Sequence, residues 1–137
     1  MISISDHIQL QDINIEDQPK LMTLLKLIYP PAYKHMWVNE DCNFYYNQFY
    51  TLEQLKLELA DPNASYYFVI YKSNLVGIFR FVYDVTYTEL PETKAAYLNR
   101  IYLNEEAQGK GVANKLFLWA ERRVREKGHS LIWLKAM

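Results

Sequence analysis

Between Tyr97 and Gly128 the hydrophobic period of the chain changes from two to 3.6 across a bend at Gln108-Gly109-Lys110-Gly111-Val112-Ala113. Upstream, Tyr97-Leu98-Asn99-Arg100-Ile101-Tyr102-Leu103 is rich in β-branched and aromatic side chains and reads as a strand. Downstream, Val112, Leu116, Trp119, Ala120 and Val124 recur at spacings of three and four, so they share one helix face. Asn114, Lys115, Glu121, Arg122 and Arg125 fill much of the rest. Gly128 closes the helix, with Arg125 and Lys127 near the negative end of its dipole.

A strand that bends through glycines into a helix makes an anion site. The first N–H groups of a helix lack internal partners, and the dipole adds partial positive charge there. Gly109 and Gly111 let a phosphate approach the backbone, and Lys110 adds a positive charge. A tight turn with a solvated Lys110 explains the two glycines equally well. A Walker loop fails, because Gly109-Lys110 is followed by Gly111 and not Ser or Thr. A dinucleotide fingerprint fails too: its third glycine would fall at Asn114.

Gln108, Gly111 and Ala113 fit a third pattern, Gln/Arg-x-x-Gly-x-Gly/Ala after a strand and opening a helix. This resembles the acetyl-CoA pyrophosphate loop of the GCN5-related N-acetyltransferases, closest in look to bacterial members that acetylate polyamines or other small amines. Residues 99–107 look like the family's fourth strand and following turn, Leu116 to Gly128 like its third helix, and Leu131-Ile132-Trp133-Leu134 like its fifth strand.

The rest of the chain is compatible with that resemblance. Its 137 residues, half of them hydrophobic, suit a single domain over residues 1–137. A net charge of −1 gives no argument for nucleic-acid binding. The lone Cys42 excludes an intramolecular disulfide and suits the cytoplasm. No apolar run spans a bilayer, and no signal-peptide pattern opens the sequence, so no membrane role is expected.

Ile8–Ile13 alternates like a strand. Asn14 or Asp17 caps a helix with Pro19 early and Leu21, Leu24, Leu25 and Ile28 on one face, and Pro30-Pro31 is expected to stop it. Ala32 to Tyr50 is irregular and aromatic, part of it a short helix. Thr51-Leu52-Glu53-Gln54 is a capping box for a helix ending at Asp61-Pro62. Ser65–Tyr71 and Leu75–Tyr83 form a hairpin about Lys72-Ser73-Asn74. A polar loop, Asp84–Thr93, precedes the Lys94–Leu103 strand. The fold class is α/β (α+β in some schemes): a mixed sheet in the order β-α-α-β-β-β-α-β. It stops at Lys135-Ala136-Met137, where the family usually continues, so truncation after the fifth strand is expected. Leu131, Trp133 and the adjoining face would then meet another chain, a route to a homo-oligomer.

The resemblance implies an acyl-CoA-dependent N-acetyltransferase. Acetyl-CoA is the co-substrate, no metal is called for, and the acceptor is a primary amine of a small molecule or peptide attacking directly in a ternary complex. The cofactor-binding residues would be Ile101, Tyr102, Leu103, Gln108, Gly109, Lys110, Gly111, Val112 and Ala113. A backbone N–H at Tyr102 or a neighbour would stabilise the oxyanion. By alternation, Tyr97, Asn99, Ile101 and Leu103 share one strand face and Leu98, Arg100 and Tyr102 the other. No carboxylate lies on this strand, where many relatives place a Glu. Tyr97 and Asn99 are catalytic candidates by position. Base work falls first to a water chain, then to Tyr97, Asp84, Glu89, Glu92 or His35. Tyr33, His35 and Trp37, with Glu40 and Asp41, could wall a cleft for a cationic amine, although packing under an irregular loop explains those aromatics at least as well. An acetyl-CoA-binding module without turnover and a scaffold on the same fold are the alternatives.

Overall fold

The computed structural model describes residues 1–135; Ala136 and Met137, where the expected truncation falls, lie outside the described residues. Six strands form one sheet in chain order: β1 (Ile2–Ser3), β2 (Ile8–Asp12), β3 (Ala64–Tyr71), β4 (Asn74–Tyr83), β5 (Ala95–Leu103) and β6 (Leu131–Trp133). Neighbours are antiparallel except β5 and β6, which run parallel. The helices are α1 (Gln18–Tyr33), α2 (Asn43–Phe49), α3 (Leu52–Ala60) and α4 (Val112–Glu126). This is the expected mixed α/β order, with the short β1 added and α2 located inside the irregular stretch. Among the described residues no helix is long and apolar enough to cross a membrane.

The chain divides into two compact units, residues 1–12 with 63–137, and residues 13–62. Within 13–62, Asn14 N–H donates to Asp17 Oδ2 at 2.9 Å ahead of α1. Leu21, Leu24, Leu25 and Ile28 are buried on α1 as their spacing predicts, and Tyr29 joins them. Pro30-Pro31 does not stop this helix, which continues to Tyr33. The prolines remove two donors, but only in the last turn, and Lys34 N–H still closes onto Pro30 O. Thr51 Oγ1 accepts from Gln54 N–H at 3.2 Å and starts α3 where the capping pattern places it.

In the sheet unit, β3 and β4 are joined by Lys72-Ser73, with φ of +48° and +69°. Two successive left-handed residues match the right-handed twist of a hairpin, and Lys72 N–H is further held by His7 O at 2.9 Å. One face of the sheet buries Leu10, Val69, Phe79, Phe81 and Leu98 against Val112, Leu116, Ala120 and Val124 of α4. Full burial contributes about 1.5–3 kcal/mol for each large side chain, so this face anchors α4. The helix ends in a Schellman motif: Gly128 N–H reaches Arg125 O at 2.9 Å and His129 N–H reaches Val124 O at 3.0 Å.

The strand alternation expected for β5 is broken. Arg80 pairs with Arg100 but Phe81 pairs with Leu98, so Asn99 is an extra residue, a β-bulge. Ala96 and Leu98 before the bulge, and Ile101 and Leu103 after it, all face the α4 core. The sequence pattern placed Leu98 opposite Ile101 and Leu103; the bulge shifts the period by one and puts them together. Opposite Leu103 sits Gly77, where a Cβ would collide with the Tyr102 carbonyl oxygen and the Leu103 side chain. Glycine there lets β4 approach β5 closely.

Candidate active site

β6 pairs only with Ala95, Ala96 and Tyr97. Among the described residues, the outer edge of β5 from Leu98 to Leu103 therefore carries no strand, a stretch of about 17 Å. Two hydrogen bonds fix which peptide groups look outward. Asn104 N–H donates to Val76 O at 2.8 Å, so the preceding carbonyl, Leu103 O, points away from β4. Gln108 Nε2 donates to that outward carbonyl at 3.1 Å. The N–H and C=O of one strand residue point the same way and alternate along the strand. Ile101 and Leu103 thus present theirs to the outer edge. Tyr102 presents its own to β4, so of the expected donors, Tyr102 or a neighbour, Ile101 and Leu103 are the ones with outward N–H groups.

The edge leads through the short turn Glu105–Ala107 to the glycine bend. Gln108 N–H is engaged by Glu105 O at 3.2 Å, so Gln108 contributes to the bend by its side-chain tie and not by a spare amide. Gly109 and Gly111 adopt φ of +71° and +78°. A Cβ at either would have no heavy atom within 4 Å, so the bend opens onto clear space. No side chain caps the first turn of α4 and no acidic residue lies in it. Val112 is buried and anchors the bend, while Lys110 and Ala113 are exposed beside it. Open glycines, uncapped helix N–H groups and a nearby lysine fit a diphosphate, and the residues present therefore suit acetyl-CoA.

At the vertex where β6 leaves β5, Tyr97 stacks on Trp133 with ring centroids 4.3 Å apart. The Trp133 indole N–H donates to Val85 O at 2.9 Å, and Tyr87 lies 5.4 Å from the same ring. These contacts tie the 84–94 loop to β6. Asp84 Oδ1 is 2.7 Å from Nε2 of the buried His129. Glu89 accepts from Tyr87 Oη at 2.9 Å, which holds the tyrosine pKa above its ordinary value. Glu92 lines a surface cavity of about 200 Å³ with Asp84, Thr86 and Lys94. Of the loop carboxylates weighed as bases, two are thus already partnered.

Asn99 and its neighbours form a constellation that sequence reasoning missed. Arg80 Nη1 donates to Asn99 Oδ1 at 2.9 Å. Arg80 and Arg100, cross-strand partners, are only 8 % and 6 % exposed. Both guanidinium groups approach the Tyr66 ring, at 5.7 and 5.5 Å, and Arg100 Nη1 donates to Tyr66 Oη at 3.1 Å. The available signal was a charged residue inside each of two apolar runs, Phe79-Arg80-Phe81 and Leu98 to Leu103.

Tyr33, His35 and Trp37 belong to the other unit. Tyr33 stacks on Tyr29 at 4.9 Å, and Trp37 Nε1 donates to Tyr29 Oη at 3.0 Å. Tyr29 in turn stacks on Tyr45 at 4.1 Å. His35 is exposed, Glu40 pairs with Lys34 at 3.3 Å, and Asp41 accepts from Asn43 N–H at 2.9 Å. These aromatics pack on one another.

A mixed sheet whose last, parallel pairing spans three residues beside an open, glycine-lined helix start is the architecture of an acyl-CoA-dependent N-acetyltransferase, with acetyl-CoA as co-substrate. The Acetyltransferase (GNAT) family matches residues 20–137, and the chain belongs to that family. An uncharacterized N-acetyltransferase from Lactobacillus delbrueckii subsp. lactis is 22% identical over 127 residues, covering 93% of this chain and 73% of the relative. The PaiA N-acetyltransferase of Thermoplasma acidophilum, solved in complex with coenzyme A, shares the fold at a TM-score of 0.74 and 21% identity, over 94% of this chain and 79% of that one. A ribosomal-protein-alanine N-acetyltransferase of Brucella melitensis biovar Abortus 2308 shares it at 0.61 and 22%, over 95% and 80%.

Proposed function

We propose that this chain transfers the acetyl group to a primary amine of a small molecule or peptide, by direct attack in a ternary complex. The observation that carries this reading is the outer edge of β5, strand-free among the described residues, which leads through Glu105–Ala107 and the glycine bend to the uncapped α4 start. Acetyl-CoA, when bound, supplies an acetyl group already activated as a thioester. The N–H groups of the α4 first turn and Lys110 hold the diphosphate, and Gly109 and Gly111 leave it room. The outward N–H and C=O groups of Ile101 and Leu103 pair with the amide arm. Ile101 N–H, nearer the vertex, faces the thioester oxygen and stabilises negative charge that grows there.

The incoming amine must lose a proton, since an ammonium has no lone pair. Asn99 cannot accept one near neutral pH, and Tyr97, stacked on Trp133 through its ring, is the alternative acceptor. Water entering at the vertex takes the proton; as the C–N bond forms the thioester C–S bond breaks, and CoA leaves as a thiolate that water protonates. Structural neighbours act on different amines by their names, an aminoglycoside in one and a ribosomal protein's alanine in another, so acceptor class is best found by survey. Thiol release from acetyl-CoA should rise with one class in a panel of polyamines, aminoglycosides and peptide N-termini. CoA binding without turnover on any amine would instead favour a binding module. In the pH–rate profile, a limb abolished by mutating a single carboxylate or His35 would overturn the water route.

A further inference from the structure

The bulge at Asn99 decides which amides of β5 look outward, and one side chain grips it. A one-residue slip would replace Ile101 and Leu103 at the outer edge by their neighbours. The extra residue of a bulge has no ladder partner, so a side-chain bond to it is a means of fixing where the bulge falls. Here Arg80 Nη1 reaches Asn99 Oδ1 at 2.9 Å. Arg80 stands on β4 next to Phe81, at the very step where the register shifts. Tyr66, paired with Arg80 across β3 and β4, places its ring under both Arg80 and Arg100. The guanidinium is therefore positioned by packing and cannot follow Asn99 if the strand slides.

We infer that Arg80 and Asn99 form a positioning latch, which locks the β5 bulge so that Ile101 N–H points at the thioester oxygen of bound acetyl-CoA. Neither side chain touches the reacting atoms in this role; both act through the backbone. The inference rests on the proposed use of the β5 edge by the cofactor. It goes beyond that use in assigning the aim of the amide to a side-chain pair.

The test removes the acceptor atom. Asn99→Ala and the near-isosteric Asn99→Leu delete it, so that a folding defect in one leaves the other usable; Asn99→Asp keeps an oxygen for Arg80. Each is titrated with acetyl-CoA carrying ¹³C at the acetyl carbonyl. Wild type should bind and shift that carbon downfield, the signature of a polarised carbonyl. Asn99→Ala and Asn99→Leu should bind within about threefold of wild type but lose most of the shift. They should also lose roughly 100-fold in kcat, the scale of one misplaced oxyanion donor, with little change in KM for acetyl-CoA. Asn99→Asp should restore both. A wild-type shift in the two deletion variants overturns the latch while leaving the cofactor groove intact. Failure of wild type to bind acetyl-CoA overturns the groove itself, and binding without any shift overturns the aim assigned to Ile101.

Discussion

Gly111 occupies a left-handed conformation with clear space above it. Gly111→Ala should cost stability by about 1–2 kcal/mol through the backbone, and should weaken CoA binding at least tenfold because a methyl enters the diphosphate's approach. Isothermal titration beside a thermal melt separates the two effects. Tyr46 offers a pH prediction. Burial above all, with the neighbouring Cys42 thiol, raises its pKa well above the ordinary value of 10. A raised folded pKa favours the neutral phenol, so this stability is present below pH 10 and is lost as pH climbs above it. Tyr83 shifts the same way by burial. Melting curves from pH 8 to 11 should show Tyr46→Phe losing less stability than wild type above pH 10. Near neutrality it should differ little from wild type, since the polar neighbour of the Tyr46 hydroxyl is the Cys42 thiol, a weak hydrogen-bonding group.

At the scale of elements, the capping bond from Thr51 is the cleanest local device. Thr51→Ala should destabilise the protein by about 0.5–2 kcal/mol, measured by urea unfolding, whereas Thr51→Ser keeps the capping oxygen and should stay close to wild type. Elements of this kind were legible in the sequence because their signals are local. The Thr51–Gln54 box, the hairpin turn at Lys72-Ser73 and the apolar stripe of α4 each follow from a few neighbouring residues. Pro30-Pro31 misled because a proline pair in a last turn removes few bonds. The Asn99 bulge was illegible for the opposite reason: it is a property of two strands. Nothing in Tyr97 to Leu103 alone tells which residue will be skipped by β4, so the facing of Leu98 was misassigned. The glycine bend was found, but its main-chain economy was not; only the coordinates show that Glu105 already engages Gln108 N–H.

For the whole molecule, ligand linkage makes the clearest demand. Acetyl-CoA at 100 times its Kd should stabilise the native state by about 2.7 kcal/mol, which moves the midpoint of thermal unfolding up by roughly 10 °C for a chain of this size. Acetyl-pantetheine, which lacks the diphosphate, should give much less. An unchanged midpoint at saturating acetyl-CoA would contradict the assignment of the bend. The sheet's strictly sequential strand order, finally, carries a consequence in time. Strands β3, β4 and β5 are near neighbours along the chain and meet through short connections, so they can zip early in folding. Strand β2 must wait for residues 13–62 to loop out, and the three-residue β6 ladder must wait for the α4 crossover. Amide exchange in the native protein should therefore open first at Ile132 and Trp133, long before the centre of the meander gives up its protons. With exchange opening there first, the vertex end of the proposed groove would be its softest part, and CoA thioesters longer than acetyl would find their extra room there.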